Sequence, residues 1–305
     1  MHPSRPRPSW LRVWTLAARP HTLPLSASPI LAGIVLAWAE TGQTALGVSV
    51  AALLTAVAIQ IATNLHNDAA DSLDGTDQPD RKGPLRVVQA GWVSAQTVQR
   101  AAHLVFGFAF LCGLVLVVKG GWPILLAGLA SLLAGYAYSA GPWPIARGPF
   151  GEVFVTLFFG LVAVAGMTFL ITGTVTLAAL LLGLGVGLTA AAVLLVNNTR
   201  DREGDTRAGR RTLAIRLERP GINRLYAWFM GGAVASVGLM ALSTPVLWGG
   251  LAVLACVPLA RKAIRAFWQA EDPCVFNLCL KRTAGFQVVL CGCLCVGLIV
   301  TRVVF

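Results

Sequence analysis

Charge is what this chain has least of. Asp, Glu, Lys and Arg make up 12% of its 305 residues, against about 25% in a soluble globular domain. That shortfall excludes an ordinary water-soluble fold. Acidic residues are the scarcer kind, 13 against 24 basic, so the position of each carboxylate carries information. Cys-x-x-Cys pairs are lacking too. The seven cysteines are Cys112, Cys256, Cys274, Cys279, Cys291, Cys293 and Cys295. The last three fall two apart on an expected helix and splay around it, so they read as small apolar membrane residues rather than a metal or redox centre. The Asp-Gly-x-x-Ala-Arg signature of phosphatidyl-transferring membrane enzymes does not occur. A convincing small-residue cleavage site after the first apolar run is also missing, so no cleaved signal peptide is expected.

What the chain does have is long apolar runs. Hydrophobic residues are 56% of it, concentrated near 22–41, 44–66, 95–118, 121–140, 151–172, 176–198, 222–242, 245–268 and 279–301. A helix needs about 20 residues to cross the hydrocarbon. The reading is an all-α polytopic membrane protein of nine transmembrane helices around a central cavity capped by loops. Placing the N-terminus in the cytoplasm puts 22 of the 24 basic residues on that side, leaving only Lys119 and Arg302 outside; this is the positive-inside pattern. The net charge of +11 therefore calls for no nucleic-acid partner. It suits the anionic lipid of the inner leaflet.

Two polar segments interrupt the oil. The first is Asn64-Leu65-His66-Asn67-Asp68-Ala69-Ala70-Asp71, and the second runs Asn197-Asn198-Thr199-Arg200-Asp201-Arg202-Glu203-Gly204-Asp205. Each begins Asn-x-x-x-Asp, and Asn64 lies 133 residues before Asn197. The offset suggests one domain over 1–305 built from two halves, about 20–150 and 151–270, plus a last helix over 279–304. Both segments then close even-numbered spans and emerge on the same side.

At 3.6 residues per turn, Asn64, Asp68 and Asp71 share a helix face, as do Asn197, Asp201 and Asp205 on a wider stripe. Each stripe offers one amide oxygen and two carboxylates. Hard oxygen ligands of this kind suit magnesium, which keeps some waters and bridges to phosphate. Carboxylates at a helix C-terminus oppose the macrodipole, so the two ends should be strained or mobile unless cations offset the repulsion. A solvated helix end explains one such cluster; two matched clusters argue for a site. Basic residues come after each segment: Arg81, Lys82 and Arg86 after the first, Arg207, Arg210 and Arg211 after the second. They are candidates for holding a diphosphate, although each also serves the topology signal.

The stretch from Asn64 to Gly91, NLHNDAADSLDGTDQPDRKGPLRVVQAG, resembles the first Asp-rich region of the UbiA superfamily of intramembrane prenyltransferases. NNTRDREGDTRAGRRTLAIRL resembles its second region. ARPHTLPLSASPILAG and AYSAGPWPIARGPFGEVFVTLFFG extend the likeness from about Arg19 to the last helix. It is strongest to the 1,4-dihydroxy-2-naphthoate polyprenyltransferases of menaquinone biosynthesis. The resemblance implies two Mg²⁺ ions carrying a polyprenyl diphosphate, with Asn64 and Asp68 matching the first motif and Asp201 and Asp205 the second. The broad pattern has Asp where this chain has Ser72, which makes Asp71 the nearest equivalent; Arg211 stands where Lys is common.

The same resemblance implies ionisation of the allylic C–O bond and attack by the naphthoate ring, with loss of carbon dioxide. Asp68, Asp71, Asp201, Asp205 and Tyr138 would serve catalysis. Arg81, Lys82, Arg86, Arg207 and Arg211 would bind the diphosphate. Arg19, His21, Tyr138 and Trp143 would face the acceptor. Tyr136, Phe158 and Phe159 are further aromatic faces for a cation, and Glu152 matches an acidic position that would orient a loop Arg. Membrane lipid is the surrounding partner, and the location implied is the bacterial inner membrane. Two other readings remain open: the same chemistry on another acceptor, such as 4-hydroxybenzoate, and a cation-coupled transporter. The transporter would place its acidic residues deep inside helices, whereas these lie at helix ends beside basic loops.

Overall fold

The structure, a computed structural model, describes residues 7–73 and 83–304. The described residues are helical or loop, with no strand. A short helix α1 (Trp10–Ala18) leads through a 3₁₀ turn (Pro20–Thr22) into α2 (Leu23–Thr41). Next come α3 (Leu46–Leu73) and α4 (Ala95–Ala137), then α5 (Gly151–Thr172) and α6 (Leu177–Arg200). Two short helices, α7 (Arg202–Arg207) and α8 (Leu213–Arg216), cap one end of the bundle and lead into α9 (Arg219–Ala241). The chain closes with α10 (Pro245–Trp268) and α11 (Pro273–Val304). Ser94 and Thr176 start α4 and α6 by accepting the amide N–H of Thr97 and Ala179 at 3.2 and 3.1 Å, the usual side-chain cap.

Seven helices among the described residues are long and apolar enough to cross a membrane. Nine crossings are expected from the apolar runs, and two of them share the long helix α4. The third and fourth are the two arms of α4, which breaks at Gly121 with φ 67° and ψ −155°, a conformation open essentially to glycine alone. Both arms return to one place. Val98 and Ala102 pack with Leu65 and Ala69, while Ser139, just past the second arm, bonds Asn67 at 2.9 Å. The chain therefore reverses at Gly121. α9 carries Arg219 and Arg224 and falls outside the seven, yet it is packed along α6.

Small residues set the helix spacing. In α5 the residues Thr156–Val162 form a π turn, wider than an α turn, and it carries Gly160 against α6. A Cβ on Gly160 would lie 2.6 Å from Gly187 Cα and closer still to the Gly183 carbonyl oxygen. Backbone meets backbone there, so no side chain can yield. Gly160→Leu is expected to cost about 1–3 kcal/mol or more and to lower the melting temperature in detergent by several degrees. Gly231→Leu, whose added Cβ meets nothing within 4 Å, should leave it unchanged; equal melting of the two variants would refute this packing.

The main apolar core joins α2, α5, α6, α9, α10 and α11, with Tyr226, Met230, Phe267 and Leu294 at its centre. α2 to α6 and the start of α11 enclose a cavity of about 1150 Å³.

Candidate functional site

The acidic end of α3 is divided by its contacts. Asn64 is tied into the protein: its amide donates to the Ala18 carbonyl at 3.0 Å and to Thr22 Oγ1 at 2.9 Å, and its oxygen accepts from Gln60 at 3.1 Å. Asp68, 1% exposed, accepts the Val87 N–H at 3.1 Å and anchors the chain after the 74–82 segment. Neither side chain lines the cavity. Asn67 and Asp71 do, at i and i+4. The helical arithmetic that groups Asn64, Asp68 and Asp71 is sound, but the cavity lies on the flank of that stripe. The cavity-facing Asn-x-x-x-Asp of the first segment is three residues further on, and it has the same spacing as Asn197 and Asp201.

Arginines surround these groups. Arg86, 5% exposed, donates to Asp71 Oδ2 at 2.7 Å, and to the Asn67 carbonyl and Oδ1 at 3.1 and 2.7 Å. At the end of α6, Arg200 forks onto both oxygens of Asp201 at 2.8 and 2.6 Å. It also reaches Asn197 Oδ1 at 2.7 Å and Asn277 Oδ1 of α11 at 2.9 Å. Arg210 spans the two segments, meeting Asp71 Oδ1 at 2.8 Å and Asp205 Oδ1 at 3.3 Å. One guanidinium thus touches carboxylates from both, so the acidic ends converge at one place. Carboxylates opposing the helix dipoles should strain these ends; the three arginines supply the compensating charge instead. Removing one partner of such a buried pair costs about 3–5 kcal/mol.

Asp71, Asn197, Asp201, Asp205 and Arg86 line the cavity, together with Arg207, Arg19, His21 and Tyr138. Arg211 is exposed and does not; its backbone N–H donates to the Arg147 carbonyl at 2.7 Å. Trp143, 87% exposed, stands outside as well, and so does Tyr136, which stacks on His66 at 4.5 Å. Phe158 and Phe159 are in the wall. Arg81 and Lys82 lie outside the described residues, as do Asp74, Asp77 and Asp80. Glu152, 2% exposed, accepts from Asn198 at 3.0 Å.

Asn67, Asn198, Arg200 and Asn277 belong to the site without being singled out by the sequence pattern, whereas Arg210 is one of the three basic candidates after the second segment. Asn67 has a visible signal, since it sits four residues before Asp71. Arg200 and Asn277 have none, because their roles depend on how α6 meets α11.

Tyr138 comes just after the second arm of α4. Burial pushes its phenol above the ordinary value, with Glu152 adding to the rise and Arg210 opposing it. The hydroxyl therefore stays protonated at neutral pH and is a donor or a polarisable face, not a phenolate base. Tyr138→Phe should leave the shape of the pH–rate profile unchanged up to about pH 10, the ordinary tyrosine value; loss of an alkaline limb in the variant would contradict this.

Below this polar end the cavity turns apolar. Ala52, Leu116, Ile124, Leu129 and Leu170 line it, between α3, the arms of α4, and α5. Among the described residues no three His, Cys, Asp or Glu side chains group closely enough to hold a metal alone. The oxygen donors are instead spread across two helix ends and alternate with amides and guanidinium groups.

A polytopic helical protein with an Asn- and Asp-lined polar chamber opening onto an apolar tunnel is the architecture of an intramembrane enzyme for amphipathic substrates. The chain belongs to the UbiA prenyltransferase family, whose model matches residues 26–283. It is 36% identical over 279 residues to the 1,4-dihydroxy-2-naphthoate octaprenyltransferase of Escherichia coli, covering 89% of this chain and 90% of that protein. It is 32% identical to the Bacillus subtilis protein of the same name, covering 95% and 92%. Among solved structures, a UbiA homologue from Aeropyrum pernix superposes with a TM-score of 0.67 at 16% identity, over 92% of this chain and 97% of that one. A UbiA homologue from Archaeoglobus fulgidus, bound to DMAPP and Mg²⁺, gives 0.64 at 15% identity, over 92% and 99%.

Proposed function

We propose that this protein transfers a polyprenyl group from a polyprenyl diphosphate to 1,4-dihydroxy-2-naphthoate, releasing diphosphate and carbon dioxide and forming the demethylmenaquinol. The observation that carries the reading is the convergence of Asp71 and Asp205 on one guanidinium at the mouth of an apolar tunnel. The two relatives named 1,4-dihydroxy-2-naphthoate octaprenyltransferase support the choice of acceptor.

The donor set fits magnesium. It is made of hard oxygens, the amide and carboxylate groups of Asn67, Asp71, Asn197, Asp201 and Asp205 that line the cavity. Magnesium is commonly held by one or two carboxylates plus substrate phosphates, so a cage of three carboxylates is not required. Asn67, Asp71, Asn197, Asp201 and Asp205 would hold two ions. When bound, magnesium neutralises and orients the diphosphate.

The rest is work for the chain's own groups. Arg86, Arg200 and Arg210 exchange carboxylate partners for phosphate oxygens and stabilise the leaving charge. The tunnel takes the prenyl tail. The surrounding helices limit the water that can reach the allylic cation, and Tyr138, Phe158 and Phe159 offer aromatic faces to it. Arg19 and His21 stand on the same wall, placed for the acceptor's carboxylate. The equal spacing of Asn67–Asp71 and Asn197–Asp201 supports two halves within one domain. The charge bias supports a bacterial inner-membrane protein whose charged end and N-terminus face the cytoplasm.

The test is product mass spectrometry. Membranes containing the protein are incubated with Mg²⁺, a prenyl diphosphate and either 1,4-dihydroxy-2-naphthoate or 4-hydroxybenzoate. A decarboxylated prenyl naphthoquinol is expected with the first acceptor alone. Prenylation of the benzoate instead would reject the acceptor assignment, and no transfer to either would reject the activity.

A further inference from the structure

A second concave site lies away from the cavity, on the outside of the bundle at its charged end. Pro258, Arg261, Lys262 and Arg265 of α10, with Gln269 just past its end, form one wall, and Arg282 of α11 stands across from them. The groove measures about 590 Å³. On α10 these residues sit at helical spacing, a single stripe along one face. Arg261, Lys262, Arg265 and Arg282 are all exposed, and none has an ion pair or side-chain hydrogen bond among the described residues.

Such a grouping is unfavourable by itself. Like charges one helical turn apart repel, and none of the four cations is held in an ion pair among the described residues. The helix dipole does not explain the stripe, because Arg219 already serves the carbonyls at that helix end: it donates to Phe267 O and Ala270 O at 2.6 and 2.9 Å. Its guanidinium is also held over the rings of Phe267 and Phe276. Topology accounts for positive charge on this side of the membrane, but not for cations from two helices closing on one groove.

The surroundings name the missing partner. One turn towards the middle of the membrane, the α10 stripe runs from Pro258 into Leu254, which is 54% exposed. On α11, about two turns along the helix from Arg282, Val288 and Val289 are exposed, and a Cβ on Gly285 would meet nothing within 4 Å. A cationic cleft thus continues into an open apolar surface. An anion with an apolar extension matches both parts, and long basic side chains can snorkel to its head. We propose that this groove binds the phosphate headgroup of an anionic phospholipid from the adjoining leaflet, with an acyl chain lying along Leu254. None of the four cations lines the catalytic cavity, so the site stands independently of the prenyl-transfer reading.

Native mass spectrometry of the delipidated full chain, titrated with phosphatidylglycerol or phosphatidylcholine, tests this. The wild type should retain phosphatidylglycerol in preference. The triple variant Arg261→Gln, Lys262→Gln, Arg265→Gln should lose roughly a hundredfold in relative affinity, and Arg282→Gln alone roughly fivefold. Millimolar inorganic phosphate should not displace the lipid. Unchanged retention in both variants overturns the proposal. Displacement by inorganic phosphate overturns the lipid assignment in favour of a simple phosphate site. Should the triple variant fail to fold, Arg282→Gln decides the question alone, and its prenyl-transfer rate in detergent should match the wild type.

Discussion

Asp71→Asn lowers prenyl-transfer turnover by roughly 10²- to 10³-fold, the loss typical when one preorganised charge partner is removed from a developing anion. Asp71 is 3% exposed and is shared by Arg86 and Arg210. Asparagine keeps the volume and one acceptor but gives up the charge that orders both guanidinium groups. Turnover at saturating Mg²⁺ and donor is the measurement, with melting temperature as the control for folding. Asp68→Asn is the comparison, since asparagine can still accept the Val87 N–H and Asp68 does not line the cavity. A larger loss in Asp68→Asn than in Asp71→Asn would falsify the cavity-facing assignment of the first segment.

Gly128→Phe produces the second large effect, and it depends on the donor. Gly128 lines the tunnel, and an added Cβ would meet nothing within 4 Å. It lies ten residues before Tyr138 in the second arm of α4, about 15 Å along a helix. A phenyl ring there fills the path of a long prenyl tail and leaves the polar chamber alone. Forcing the overlap costs about 1–3 kcal/mol, so kcat/KM for long-chain donors should fall roughly ten- to a hundredfold. Geranyl diphosphate, with a tail too short to reach the ring, should be used as by the wild type. Equal losses for short and long donors would place the tail elsewhere.

The membrane-spanning segments were legible because hydrophobicity over about 20 residues is a one-dimensional property. The charge bias of the loops was legible for the same reason. What could not be read was orientation about a helix axis. Asn64, Asp68 and Asp71 lie close together around the axis, but only the neighbours of α3 decide which edge of that stripe meets the cavity. Thr22 and the Ala18 carbonyl claim Asn64, and the Val87 N–H claims Asp68. Long-range partners were equally hidden. The contact of Arg200 with Asn277 and that of Arg210 with Asp71 join residues 77 and 139 positions apart. Trp143 resembled an acceptor contact by its place in a matching segment, yet the loop turns it out to solvent. The third and fourth crossings, expected near 95–118 and 121–140, were legible too, and the chain reverses between them at Gly121.

That reversal at Gly121 has a consequence for the bilayer itself. The second arm, from Trp122 to Ala137, contains 16 residues, about 24 Å of helix against a hydrocarbon thickness of about 30 Å. Trp122 at the tip is 72% exposed, and an exposed indole favours the headgroup level. A span shorter than the hydrocarbon favours local thinning of the lipid beside it. The protein therefore carries a built-in dimple, and membranes of shorter acyl chains should accommodate it with the least deformation.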